Sequence, residues 1–277
     1  MYKGDTNYMA FNNSNYKVYL ERMDASAAVS SKGLIPTFVK GRVLDVGCGG
    51  GVLLKQLKNA KGIDLNPLAV EECKKQGLDA ECISLYDLNE KFDTIIFSSV
   101  LHEFSSYDKK HPFTASPINK AIRKARELLN DGGQIIIRDG IEGRTVYATV
   151  KAKDLKVVED FKKYVIDAPM WNNDTFIVYD ELEIVAPINL IKEFMFTYTW
   201  GPESYPREVN EKYGILPDKS WRNLVKKAGF RITFTKNYTE EYVDYLSKYF
   251  EPDDTMKYIL KRCAIIIVAE KKEIIKK

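Results

Sequence analysis

The sequence predicts a doubly wound α/β domain with a mostly parallel, seven-stranded sheet, interrupted after its fifth strand by an inserted cap. Three observations predict it. Short apolar runs alternate with helical stretches through residues 42–140 and again through 218–270. The glycine-rich stretch DVGCGGG, residues 45–51, follows directly on the first apolar run. The alternation breaks over residues 141–217 and then resumes, which marks an insertion into a core rather than a domain appended to it.

Taken in order, residues 16–31 read as a helix, and RVLDVG (42–47) as a buried strand closed by glycine. GVLLKQLKN (51–59) reads as a short helix and GIDL (62–65) as the second strand. Asn66 is a good N-cap, Pro67 suits the first helical position, and Gly77 ends that helix. AECIS (80–84) is the third strand; DTIIFSS (93–99), continuously apolar and so covered on both faces, is the fourth. Ser116-Pro117 opens a helix that stops at Asn130-Asp131-Gly132-Gly133, and QIIIRDG (134–140) is the fifth strand. The insertion reads as a helix over 148–165, a strand-like piece TFIVYDELEIV, a helix INLIKEFMFTYTW and a Pro/Gly/Tyr stretch, GPESYPREVNEKYGILP. A helix over 218–229, strand FRITFTK, helical YTEEYVDYLSKYF and strand CAIIIVAE complete the chain. The expected division is a helical lid over 1–31, a core of 32–140 and 218–277, and a cap of 141–217.

Composition narrows the function. With 42 basic and 39 acidic residues the net charge is +3, which gives no electrostatic case for nucleic acid. The 45% hydrophobic and 29% charged contents are those of an ordinary soluble protein. The cysteines, Cys48, Cys73, Cys82 and Cys263, form no C-x-x-C pair, so neither a disulfide framework nor a zinc site is expected. The first residues lack an apolar signal core, and no run reaches the ~18 apolar residues of a membrane span. A cytoplasmic protein with no membrane partner is the expectation.

The glycine spacing discriminates between ligands. A dinucleotide loop wants G-x-G-x-x-G/A, but counting from Gly47 or Gly49 the third glycine slot falls on Val52 or Leu54. What the chain carries is Asp45-x-Gly47-x-Gly49-x-Gly51. Over residues 31–140 and 218–277 it thereby resembles the class I S-adenosylmethionine-dependent methyltransferases. Their first motif, E/D-x-G-x-G-x-G, is matched by DVGCGGG, and the acidic residue ending their second strand by Asp64. The closing pair FRITFTK and CAIIIVAE matches the family's antiparallel final strand, although residues 237–262 form a longer connection than expected and Asn-Asp-Gly-Gly replaces the common Lys/Arg-Pro-Gly-Gly. The resemblance implies a Rossmann-like methyltransferase fold and S-adenosyl-L-methionine as cofactor. Gly47, Gly49 and Gly51 are expected to let the backbone pass the methionine part and ribose, Asp45 to order the loop and reach the cofactor's amino end, and Cys48 to fill the loop. Asp64 is placed to accept from both ribose hydroxyls and Leu65 to line the adenine. Asp87 would accept from the adenine amino group, Leu88 N–H would address a ring nitrogen, and Ser98 and Ser99 would lie beneath the cofactor.

Of two histidines, His102 lies just past the fourth strand, at the mouth of the expected site, where an imidazole can take a proton from a hydroxyl or amine. The alternative is a His102 that packs beside the cofactor. Glu103 either orients His102 or faces solvent; Arg138 and Asp139 end the fifth strand and face the pocket, where they are candidates to bind a polar acceptor. His102, Glu103 and Asp139 are too loosely spaced to read as a metal site, and none is expected. The aromatics of the insertion, Trp171, Trp200, Tyr179, Tyr198, Tyr205, Phe194 and Phe196, either shape an acceptor site or build the cap's own core. The expected reaction is methyl transfer to oxygen or nitrogen of a small molecule. An RNA- or DNA-modifying enzyme ranks lower, because Ser98-Ser99-Val100-Leu101 stands where an Asn/Asp-Pro-Pro-Tyr/Phe motif would grip a flipped base. A silent partner protein that keeps only the nucleoside pocket is a third reading.

Overall fold

Strand β1 (Val43–Val46) is buried at all four positions, as a central strand covered on both faces must be. The structure, a computed structural model, describes residues 16–23, 31–171, 177–178, 180–239 and 242–272. In chain order the further strands are β2 (Ala60–Asp64), β3 (Ala80–Cys82), β4 (Phe92–Ser98), β5 (Leu129–Gly140), β6 (Tyr147–Lys151), β7 (Ile177–Val178), β8 (Glu183–Pro187), β9 (Phe230–Tyr238) and β10 (Ala264–Lys271). Seven of them form one sheet in the order β3-β2-β1-β4-β5-β10-β9. Strands β1 to β5 pair in parallel, while β10 runs antiparallel to both β5 and β9. The order reverses between β1 and β4, so the carboxyl ends of these two strands open the crevice where a doubly wound sheet binds ligands.

The helices follow from local chemistry. Helix α1 covers residues 16–23. In α2 (Pro67–Lys75), the Asn66 side chain accepts from Leu68 N at 3.0 Å and proline takes the first turn. The short α3 (Leu101–Ser106) leaves the end of β4. In α4 (Ala115–Leu128), Ile118, Ala121, Ile122, Ala125 and Leu128 recur at helical spacing and bury one stripe against the sheet. In α5 (Leu155–Asp167), Asp154 caps by accepting from Val157 N at 3.1 Å. Helices α6 (Ile188–Thr199), α7 (Tyr205–Glu208), α8 (Asp218–Lys227), α9 (Tyr242–Leu246) and α10 (Asp254–Leu260) complete the set.

Several expected elements change. The helix expected over 148–165 is strand β6 followed by α5; Tyr147–Lys151 pairs with β8 in a small antiparallel sheet, β6-β8-β7, and that pairing overrides helical propensity. TFIVYDELEIV splits into β7 and β8. GVLLKQLKN keeps only a 3₁₀ turn at Leu54–Gln56. Of YTEEYVDYLSKYF, α9 is the helical part, and α10 was not anticipated. Residues 24–30 of the expected first helix lie outside the described residues.

Beside the hydrophobic core of the sheet and α4 stands a second cluster. It gathers Phe161 and Tyr164 of α5, Phe194 of α6, and Leu246, Phe250, Met256 and Leu260 from the connection between β9 and β10. The long connection thus completes the core of the insertion, and the two segments bury one apolar interior together.

Candidate active site

A cavity of about 780 Å³ opens beyond the carboxyl ends of β1, β2, β4 and β5. One end is built by the glycine loop. Gly47, Gly49 and Gly51 take φ of 70°, 52° and 84°, the left-handed region that glycine enters without strain. A Cβ at Gly47 would meet Val100 Cγ2 at 2.5 Å, and one at Gly49 would stand 3.1 Å from Met23 Cε of α1. The loop is held by Asp64, whose carboxylate accepts from Gly49 N at 2.9 Å and from Asn66 N at 2.8 Å. Burial raises its affinity for a proton despite these N–H donors. Leu65 stands out from the wall, 47% exposed, and Ser98 Oγ is buried without a hydrogen-bond partner. A glycine cradle, a carboxylate, an exposed apolar side chain and an orphaned hydroxyl fit an adenosyl sulfonium compound.

The other end is ionic. His102 is 4% exposed. Its Nδ1 lies 2.7 Å from Asp139 Oδ1 and its backbone N donates to Asp139 Oδ2 at 3.2 Å. Its Nε2 lies 3.5 Å from Glu211 Oε2. Burial opposes a charge on the ring, but Asp139 and Glu211 outweigh it and hold His102 protonated well above the ordinary histidine range. Arg207, on α7, reaches Glu211 Oε1 at 3.1 Å and Glu103 Oε1 at 3.0 Å, and its Nη1 is 3.7 Å from Glu208 Oε1. Tyr107 donates to Glu211 Oε1 at 2.8 Å, and Tyr213 donates to Glu208 Oε2. Burial acts against the charge on Glu211, yet Arg207 and His102 keep its carboxyl below the usual range. Glu103 and Glu208, less fully compensated, are pushed by burial up to about 7 and about 8. Tyr19, Phe196, Trp200 and Tyr213 supply rings to this end; the Tyr213 ring lies 5.1 Å from that of His102.

Of the residues expected from sequence, Gly47, Gly49, Asp64, Leu65, Ser98, Ser99, His102, Glu103, Arg138 and Asp139 all line the cavity. Five expected cofactor contacts do not. Asp45 is buried behind the wall, where burial and then Asp64 push its carboxyl up to about 7. Cys48 packs into a small cluster with Leu54, Val70 and Cys73. Gly51 closes the loop turn; a Cβ there would meet Leu78 Cδ1 at 2.5 Å. A turn in which Asp87 N donates to Ser84 O sends Leu88 into the core and leaves Asp87 exposed, so Ser84, Leu85 and Tyr86 form that part of the wall. Glu103, expected either to orient His102 or to face solvent, is largely buried and pairs with Arg207. Arg138 donates to Ser31 Oγ and Ser99 Oγ.

Of the cap aromatics, Phe196 and Trp200 reach the cavity, whereas Phe194, Trp171, Tyr198 and Tyr205 belong to the second core. Tyr179 lies outside the described residues. Sequence reasoning missed Arg207, Glu208, Glu211 and Tyr213, which sit in the stretch read as Pro/Gly/Tyr-rich. The available signal was REVNE, with Arg207 and Glu211 four apart and able to pair on one helical turn.

A methyltransferase-domain model matches residues 19–234. A protein of Thermotoga maritima, described as an S-adenosylmethionine-dependent methyltransferase and possible histamine N-methyltransferase, is 14% identical. Its alignment covers 96% of this chain and 98% of that one with a TM-score of 0.53. A chain from the Haloferax volcanii complex between the Trm112 methyltransferase activator and a methyltransferase aligns at 11% identity, covering 95% and 100%, with a TM-score of 0.53. At these identities the likeness is one of fold. A nonribosomal peptide synthetase of Salinispora arenicola is 27% identical over 117 residues, which are 37% of this chain and 1% of that protein. The domain match spans most of the chain, and it joins the sheet order and the glycine cradle in one conclusion: the protein belongs to the class I S-adenosylmethionine-dependent methyltransferases, with S-adenosylmethionine as its cofactor.

Proposed function

We propose that the protein methylates an oxygen or nitrogen of a small-molecule acceptor, with His102 as general base. The observation that carries this reading is the Asp139–His102 pair, 2.7 Å apart and aimed into the same cavity as the glycine loop. When bound, the cofactor supplies an electrophilic methyl group on its sulfonium. Gly47, Gly49 and Asp64 would hold it; Asp139 fixes the His102 ring and stabilises the charge the ring acquires. Free His102 imidazole takes the acceptor's proton, and the aromatic wall excludes water. The cavity volume falls within the ~300–1,000 Å³ common for small-molecule sites, and buried carboxylates in the wall disfavour nucleic-acid phosphates.

Helix α1 and the cap act as the lid over the acceptor: Tyr16 and Tyr19 of α1 and Trp200 of the cap all line the cavity, with the Tyr19 and Trp200 rings 5.3 Å apart. The four cysteines are free thiols, which suits a reducing, cytoplasmic setting. Among the described residues no helix is long and apolar enough to cross a membrane.

The test is transfer from methyl-labelled S-adenosylmethionine to a panel of small amines and alcohols. His102→Ala is expected to lose roughly 10²–10⁴-fold in turnover while keeping its affinity for S-adenosylhomocysteine. Because the base is the deprotonated ring, and Asp139 and Glu211 raise its proton affinity, parent turnover should climb with pH above neutrality. Equal rates for His102→Ala and parent would remove His102 as the base, and labelling of RNA but of no small molecule would overturn the acceptor class.

A further inference from the structure

We infer that the acceptor enters as a cation, an amine whose ammonium group is held by Glu208 among the rings of Tyr19, Trp200 and Tyr213. This rests on the proposed reading of the cavity as the acceptor site. The argument begins with charge. Within the buried ionic cluster, four carboxyl groups, Glu103, Asp139, Glu208 and Glu211, stand with two cations, Arg207 and His102; the cavity as a whole is also lined by Lys32, Lys109, Lys110, Lys120 and Arg138.

The four carboxyls of the cluster are not equally partnered. Asp139 is occupied by His102 and by Gly140 N at 2.8 Å. Glu211 is occupied by Arg207, Tyr107 and His102. Glu103 is occupied by Arg207. Glu208 is 1% exposed and its Oε2 accepts from Tyr213, but its Oε1 is buried with no hydrogen-bond partner, and Arg207 Nη1 stands 3.7 Å away. A buried carboxylate oxygen left without a donor is costly, and an ammonium N–H supplies the missing bond and charge together. The raised proton affinity of Glu208 agrees with a site awaiting a cation.

The surrounding surface suits the same ligand. Tyr19, Trp200 and Tyr213 line this end of the cavity with Glu208; aromatic faces attract an ammonium once it is desolvated, and the Tyr19 ring already carries the Arg207 guanidinium 4.8 Å from its centroid. A divalent metal ion fits less well. His102, Glu103 and Glu211 offer ligand atoms within 4.8 Å of one another, but the permanently charged Arg207 guanidinium already bonds both glutamates. Beside Glu208 an anionic acceptor would meet the carboxyl cluster. Freeing the amine lone pair for reaction remains the task given to His102.

The experiment is calorimetry of the whole protein with phenethylamine and its neutral analogue 2-phenylethanol, with and without saturating S-adenosylhomocysteine. The amine should bind at least about tenfold more tightly than the alcohol, and Glu208→Gln should remove roughly tenfold or more of that preference with S-adenosylhomocysteine affinity retained. Trp200→Leu, at a half-buried ring, should weaken the amine selectively and serves if Glu208→Gln does not fold. Equal affinity for amine and alcohol overturns the inference, as does a Glu208→Gln protein that keeps the full preference. Stabilisation by zinc chloride that depends on Glu103 and Glu211 and excludes phenethylamine overturns it too. The two readings separate: S-adenosylhomocysteine binding without amine preference sinks the cation site alone, whereas amine preference without S-adenosylhomocysteine binding sinks the methyl-transfer reading alone.

Discussion

Asp64 does two things with one carboxylate. It bonds Gly49 N and Asn66 N, which shapes the glycine loop, and it lies on the cavity wall. Replacing it with alanine removes two charge-assisted hydrogen bonds as well as any contact to the cofactor. Such bonds are worth about 1.5–3 kcal/mol each, so Asp64→Ala should lower the melting temperature by several degrees and, with the loop unset and the wall carboxylate gone, weaken S-adenosylhomocysteine binding roughly 10–100-fold. Calorimetry showing parental affinity would remove Asp64 from the cofactor site. Gly47 illustrates a different residue-scale constraint, since both its positive φ and the 2.5 Å approach of Val100 exclude a side chain.

At the scale of elements, α6 is the hinge pin between cap and cavity. It is buried on all sides, a pattern expected of a helix enclosed by other elements rather than lying on a surface. Phe194 sits at its centre, with ring centroids 5.1 Å from Phe161 of α5, 5.1 Å from Tyr198 and 6.3 Å from Phe250 of the β9–β10 connection. The next residue back, Glu193, accepts from Gly214 N at 2.8 Å and Tyr213 N at 2.6 Å, which sets the loop that carries Tyr213 into the cavity. Phe194→Ala should cost about 3–5 kcal/mol, measured by urea unfolding, and should expose the 242–260 segment to proteolysis along with the insertion. Cleavage confined to one of the two segments would refute their shared core.

For the whole molecule, the ionic cavity makes stability depend on pH. Asp45, Glu103 and Glu208 have proton affinities raised to about 7, about 7 and about 8 by burial. Between pH 5 and 8 the folded state therefore binds more protons than the unfolded chain, so stability falls as pH rises. His102 acts in the same direction, because its raised affinity is a contribution lost as pH climbs past it. Glu211, held below the usual range, contributes the opposite sign only in acid. Unfolding free energy should drop by several kcal/mol from pH 5.5 to 8.5, and Glu208→Gln should flatten the slope. A flat profile for the parent would show that these carboxyls are charged throughout.

The linear sequence determined the sheet, the glycine cradle and the two residues most central to the site. Strands such as DTIIFSS are apolar at consecutive positions because both faces are covered, and glycine spacing reports backbone angles that other residues adopt only at a cost. These are local signals, legible in one dimension; Asp64 ends β2 and His102 lies on the short helix that follows β4, and the fold brings the ends of both strands to one crevice. Tertiary structure decided what depends on partners distant in the chain. Residues 147–151 became a strand because β8 was there to pair with, and Phe250 joined the cap's core from the far side of β9. Glu211 meets His102, and Arg207 meets Glu103, across about a hundred residues. Ion pairs and buried charge are properties of juxtaposition, and no local pattern in the sequence encodes which carboxylate will be left without a partner.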